Sequence, residues 1–150
     1  MEAGKEQRGF RDLIAWQKAD KLASLVFRAC RDLPPQNRWL VDQILRCAVS
    51  VPANIAEGHG RGSKAELSRC LDISRGSLAE LEYYLHFLKA EEILPAEKVD
   101  ALEAMQIEAS KVLFGLWRSL KAIDKNDWNH TGNTIREESE LYTPFKKSGY

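Results

Sequence analysis

Net charge is the first thing this chain lacks: its 150 residues carry 22 Lys+Arg against 22 Asp+Glu. A protein that holds nucleic acid through bulk positive charge alone is clearly basic, so that mode of binding is excluded. Cysteine is scarce too. The three present, Cys30, Cys47 and Cys70, are odd in number and lie 17 and 23 residues apart, with no Cys-x-x-Cys spacing and no His pair nearby. This argues against a disulfide framework or a zinc site and predicts buried reduced thiols, because free Cys behaves as a small apolar residue. No apolar run approaches the roughly 20 residues that span a bilayer, and the first nine residues are polar and charged, so a cytoplasmic protein without membrane contact is expected. A chain of this length buries roughly 68–70% of its unfolded surface and needs no metal or disulfide to hold one core.

Catalytic signatures are missing as well. A di-iron carboxylate bundle needs Glu-x-x-His on two helices, and that spacing does not occur. His59, His86 and His130 stand in a glycine loop, late in a helical segment and in the tail, where they do not converge. Glu82 and His86, four apart, read as a solvated polar pair. There is no Gly-x-Ser-x-Gly elbow and no strand to carry one. The expectation is a non-enzymatic protein with no catalytic residue, no metal and no cofactor.

Helical periodicity is abundant. In the first segment Trp16, Ala19, Ala23, Val26, Cys30 and Leu33 recur every three or four residues, with Asp12 at the expected N-cap, and Pro34-Pro35 stops the run. The second carries Leu40, Ile44, Cys47, Val51 and Ile55 up to a glycine run from Gly58 to Gly62. The third opens with a Ser63/Glu66 capping box and runs Leu67, Leu71, Ser74, Leu78, Leu81, Leu85 and Leu88. The fourth starts near Pro95 and places Val99, Leu102, Met105, Ala109, Val112, Leu116 and Ile123 on one face. Short breaks force consecutive helices to run antiparallel, which predicts an all-α, up-down-up-down four-helix bundle. The implied organisation is a polar arm over 1–9, the bundle over 10–124 and a mobile tail over 125–150. Residues 1–75 hold 13 Lys+Arg against 9 Asp+Glu, and residues 76–150 hold 9 against 13, so two neutralising halves of opposite sign favour assembly.

The second helical segment also carries a polar stripe. Gln43, Arg46, Ser50, Asn54 and Glu57 lie roughly a third of a turn from its apolar stripe at 100° per residue. Pro52 removes a hydrogen bond to the Ala48 carbonyl and should bend the helix. Ser74, Gly76, Ser77 and Glu80 offer matching small and polar positions on the third segment. Two readings stand: a satisfied network between these helices, or a subunit interface with Arg46 paired to Glu57 or Glu80. The glycine run is a turn permitting positive φ, or an anion site formed with Arg61 and Lys64 at the next helix N-terminus. Candidate phosphate contacts are Arg38, Arg61, Lys64, Arg69 and Arg75, all in the positive half, although such residues are more often plain surface charges.

Three stretches carry a resemblance: residues 10–19 around Phe10, Arg11, Asp12, Trp16 and Gln17; residues 43–58 with Gln43, Arg46, Ser50, Pro52, Asn54, Ile55, Ala56, Glu57 and Gly58; and residues 76–82 with Gly76, Ser77, Glu80 and Glu82. Together they resemble the four-helix bundle family of the proteins encoded in intervening sequences of bacterial 23S rRNA genes, over about residues 10–123. The middle motif is the specific one. Cys47 departs from the small or basic residue common there, and the tail has no family counterpart. The resemblance implies a homopentamer without catalytic activity, binding or scaffolding RNA or DNA. A related branch, the accessory variability proteins of diversity-generating retroelements, implies the alternative of a subunit that binds a reverse transcriptase and its template RNA. Under the resemblance Arg46, Ser50, Asn54 and Glu57 read first as structural or interfacial and second as RNA-contacting.

Overall fold

The computed structural model describes the backbone of residues 9–129 and side chains through Ala122. Four helices account for nearly all of it: α1 Ile14–Cys30, α2 Arg38–Gly60, α3 Lys64–Ala90 and α4 Ala96–Asn129. No strand occurs among the described residues. Each helix packs antiparallel on the next, and α4 returns beside α1, so the four form a closed square with α1 opposite α3 and α2 opposite α4. The all-α up-down-up-down bundle expected from the seams is the observed fold. α4 continues to Asn129, past the expected bundle end at 124. The remainder of the tail (130–150), the arm before Gly9, and the Ile123 side chain lie outside the described residues. No described helix is long and apolar enough to cross a membrane.

The start of α1 differs from expectation. Asp12 does not cap it: a 3-10 turn, Phe10–Asp12, comes first, Asp12 donates its N–H to the Gly9 carbonyl, and Leu13 takes the cap position without a side-chain hydrogen bond. The turn is held by Phe10, whose ring meets Trp16 edge-on at 5.1 Å. Inside the bundle, Ala19, Leu22, Val26 and Cys30 of α1 face Leu40, Ile44, Val51 and Ile55 of α2, all buried. Pro52 is itself buried, and α2 runs unbroken through it.

The glycine run does not end α2 where its first glycine stands. Helix continues through Gly60, and only Gly62 adopts positive φ, at 72°. Gly58 serves another purpose: a Cβ there would lie 2.7 Å from the Cys70 Cβ and 3.0 Å from the Leu67 Cα, so its missing side chain is what lets α2 and α3 approach. α3 then opens as expected, with the Ser63 hydroxyl accepting the Glu66 N–H at 3.1 Å. It closes on Glu92 in the left-handed region (φ 53°), where Ile93 donates to the Leu88 carbonyl and Glu92 to that of Lys89. These two bonds are those of a Schellman ending, formed here without glycine.

The α4 seam is rotated from the expected one. The buried positions are Val99, Leu102, Gln106, Ala109, Leu113 and Leu120, whereas Met105, Val112 and Leu116 are only partly buried. A glutamine occupies a core position, so a template that follows apolar residues slips to its neighbours.

Candidate functional site

Hydrogen bonds join α2 to α3 in addition to the apolar core that the two helices share. Ser74, fully buried, donates to the Val51 carbonyl at 2.9 Å. Ser50 and Ser77 share a hydroxyl contact at 3.0 Å. Asn54 donates to both the carbonyl and the hydroxyl of Ser50, at 2.8 and 3.0 Å. Small polar side chains fit here because the helices are close; the hydroxyls of Ser50, Ser74 and Ser77 each find a carbonyl or another hydroxyl, whereas that of Ser68, buried one to two turns earlier on α3, has no partner among the described residues. Within the chain, Ser50, Asn54 and Ser77 therefore form the network. Gln43 is half-buried and makes no hydrogen bond to this network.

The charged members of the stripe behave differently. Glu57 turns to Arg61, four residues on, at 2.6 Å. Arg46 is exposed and pairs with no carboxylate among the described residues; neither Glu57 nor Glu80 reaches it within the chain. Glu80 is exposed beside Tyr84, whose hydroxyl is raised above its ordinary pKa by burial first and by this carboxylate second. Glu80 also adds to the dominant effect of burial on Cys47, whose thiol is pushed up to about 12; burial alone pushes Cys30 to about 11. Neither thiol is a nucleophile at neutral pH.

The five basic candidates do not converge. Arg38 starts α2, and Arg61 follows its end, about 34 Å away along the helix at 1.5 Å per residue. Arg61, Lys64 and Arg69 gather at the α2–α3 turn with two carboxylates: Arg61 holds Glu57 and, at 3.4 Å, Glu66, which also takes Arg69 at 3.1 Å. The Arg61 guanidinium is held above its ordinary pKa, chiefly by its hydrogen bond to Glu57. Lys64 and Arg38 have no carboxylate partner among the described residues. Arg75 lies mid-α3, 3.3 Å from Asp72, with its guanidinium 4.2 Å over the Trp117 ring.

Two concavities were not foreseen. An apolar groove between α1 and α2 is lined by Phe10, Trp16, Phe27, Val49, Pro52 and Ala56, with Phe27 47% and Val49 52% exposed. The α1 periodicity puts Trp16 on the core seam, whereas it is only half-buried and lines this groove, beside the buried Ala15, Ala19 and Leu22. A smaller pocket of about 150 Å³ opens between α3 and α4, lined by Arg75, Leu78, Ala79, Glu82, Gln106, Ser110 and Phe114. The signal that could have found it is Gln106, a polar residue in register with the α4 core.

Comparison places the chain among known proteins. A solved structure with 24% identity and a TM-score of 0.65 covers 69% of this chain and 98% of its own; it is a protein of unknown function from the S23 ribosomal protein family of Bacteroides thetaiotaomicron, and it shows the shared fold. No curated protein matches. The family model described as 23S rRNA-intervening sequence protein matches residues 11–115, which contain the α2 stripe and the α2–α3 turn; the chain belongs to the 23S rRNA-intervening sequence protein family.

Proposed function

We propose that this chain is a non-enzymatic, cytoplasmic, oligomeric bundle that binds or scaffolds RNA. The observation that carries the reading is the cationic α2–α3 turn, where Arg61, Lys64 and Arg69 outnumber Glu57 and Glu66 and Lys64 has no carboxylate partner among the described residues. One such turn is a weak phosphate site. A homopentamer, which the family resemblance implies, repeats it around a ring and raises its effective affinity. Arg46 and Glu80, exposed and without an ion pair within the chain, are the interface pair this assembly would use.

Fluorescence anisotropy with a labelled RNA hairpin tests the binding. Affinity is expected to fall steeply between low and physiological salt and to weaken at least tenfold in a variant carrying Arg61→Glu, Lys64→Glu and Arg69→Glu. Equal affinity of that variant at low salt refutes the RNA reading. Sedimentation showing a monomer at micromolar concentration refutes the oligomer.

The α1–α2 groove favours a second reading, in which a protein partner docks on its exposed apolar side chains. In the related retroelement branch that partner is a reverse transcriptase bound to template RNA. Co-purification of the chain with a reverse transcriptase encoded beside its gene supports this reading, and the absence of such a gene removes it.

A further inference from the structure

Gln106 is 2% exposed in the middle of α4, where every neighbouring seam position is apolar. Its amide nitrogen is saturated, donating to the Leu78 carbonyl at 3.1 Å and to the Ser110 hydroxyl at 3.2 Å. Its carbonyl oxygen receives no hydrogen bond from the protein. This oxygen is open to solvent on the wall of the α3–α4 pocket, where a donor on a ligand can take the place of water. The rest of the lining defines what would satisfy it. Glu82 forms no ion pair and adds a second acceptor. Arg75 uses one terminal nitrogen on Asp72 and keeps further N–H groups, and Ser110 retains its hydroxyl proton. Leu78, Ala79 and Phe114 are apolar walls. A volume of about 150 Å³ is too small for the ligands of typical 300–1,000 Å³ pockets.

We propose that this pocket holds one unstacked nucleobase of single-stranded RNA, of the kind that presents a keto oxygen beside a ring N–H: guanine or uracil. The ring N–H, with the amino group of guanine in addition, donates to the Gln106 carbonyl and the Glu82 carboxylate. The keto oxygen accepts from Arg75 and Ser110. The flat faces of the base lie against the apolar walls, the arrangement by which splayed RNA bases are read on their Watson–Crick edges. Adenine and cytosine place an unprotonated ring nitrogen where the ring N–H must be, which sets lone pair against lone pair. The proposal rests on the RNA reading above and gives it base specificity.

Titration of the full chain with the four nucleoside monophosphates, followed by the Gln106 side-chain amide signals in nitrogen–proton NMR spectra, tests the pocket. The phosphate is common to all four, so differences report the base. Guanosine or uridine monophosphate is expected to move these signals and to bind at least tenfold more tightly than the adenosine and cytidine compounds. Glu82→Gln, an exposed change that leaves the core intact, is expected to weaken that binding several-fold, and Gln106→Leu to abolish the preference. Equal affinities for all four, or Gln106 signals that do not move, overturn the proposal. Oligouridine against oligoadenosine at low salt supplies the RNA arm. Binding of both strands with equal affinity refutes the pocket and leaves RNA binding standing; a monophosphate preference without binding of either strand makes the pocket a free-nucleotide site and refutes the RNA reading.

Discussion

Gly58 provides the sharpest test of how α2 and α3 fit together. In a bare helix, replacing glycine by alanine stabilises by about 0.8–1.0 kcal/mol, because glycine loses more backbone freedom on folding. At Gly58 the added methyl would stand 2.7 Å from the Cys70 Cβ, 3.0 Å from the Leu67 Cα and 3.2 Å from the Leu67 Cδ1. Ordinary carbon contacts are about 3.5–4.0 Å, so α3 must retreat by roughly an ångström. Two of the three atoms cannot swing away, one being backbone and one a Cβ. Overpacking of this kind costs about 1–3 kcal/mol, which cancels the propensity gain and leaves Gly58→Ala less stable by up to about 2 kcal/mol.

Gly115 is the matched control: it lies within α4, is exposed, and a Cβ there meets nothing within 4 Å. Gly115→Ala should therefore gain close to the full propensity increment, so the same substitution has opposite signs at two sites. Urea unfolding followed by circular dichroism, at one fixed protein concentration so that any assembly contributes equally, reads both. The midpoint should drop for Gly58→Ala and rise for Gly115→Ala. A Gly58 variant as stable as the parent would mean that the close approach of α2 and α3 is not required by the fold.

Glu92→Gly removes a side chain from the left-handed region at φ 53°, so it should raise the urea midpoint by the equivalent of about 0.5–1 kcal/mol; an unchanged or lower midpoint would show that the Schellman ending is not strained. Ser74→Ala loses one buried bond to the Val51 carbonyl and is expected to cost about 0.5–1.5 kcal/mol, measured in the same way. Cys30 and Cys47 have folded-state pKa values raised to about 11 and about 12 from 9.0, so the stability they contribute is complete below pH 9 and is lost as pH climbs toward those values. Their thiols should accordingly resist a thiol reagent at pH 8 until denaturant is added, and rapid native labelling would contradict their burial. Helix α1 buries three alanines among its six core residues, so its amides should exchange faster than those of α3 in native-state hydrogen exchange; equal protection would show that the bundle opens only as a whole.

What the sequence made legible was whatever repeats in kind. The seams of α2 and α3 are mostly Leu, Ile and Val at regular spacing, with one Cys and one Ser in step, and the Ser63 box announces the start of α3, so helix number, order and packing followed. Positions that depart from the rule for their role stayed hidden. Glu92 ends α3 where glycine is the usual residue, so no breaker marks the turn. Gln106 is polar in a core register, and the apolar template moved to Met105 and Val112 instead. Asp12 has the composition of a cap but is used up by a turn that the Phe10–Trp16 contact creates, a tertiary effect beyond local propensity. For the site, Ser50, Asn54 and Ser77 were identifiable because short polar residues at helical spacing are not needed for solubility. Which of them face inward depends on the helix separation at Gly58, which spacing alone does not encode. The basic candidates were grouped by sequence half, yet a helix of some 34 Å separates Arg38 from Arg61, so only those at one turn act together.

The polar contacts inside the bundle share one helix. Ser74 and Ser77 of α3 reach α2, and the Leu78 carbonyl of α3 takes Gln106 of α4, all within five consecutive residues. α1, in contrast, is joined to the rest by apolar contacts and, among the described residues, by one surface ion pair, Lys18 with Glu108. Apolar packing tolerates small sliding between helices, but hydrogen bonds to particular carbonyls do not, so α3 fixes the register of α2 and α4 while α1 completes the core. Arg75 lies on the outer flank of the same stretch, and Glu82 follows one turn beyond it. A rigid register in this part of α3 therefore holds Arg75 and Glu82 at a set distance from Gln106, which recognition of a single base edge requires and a bundle packed only by leucines would not supply.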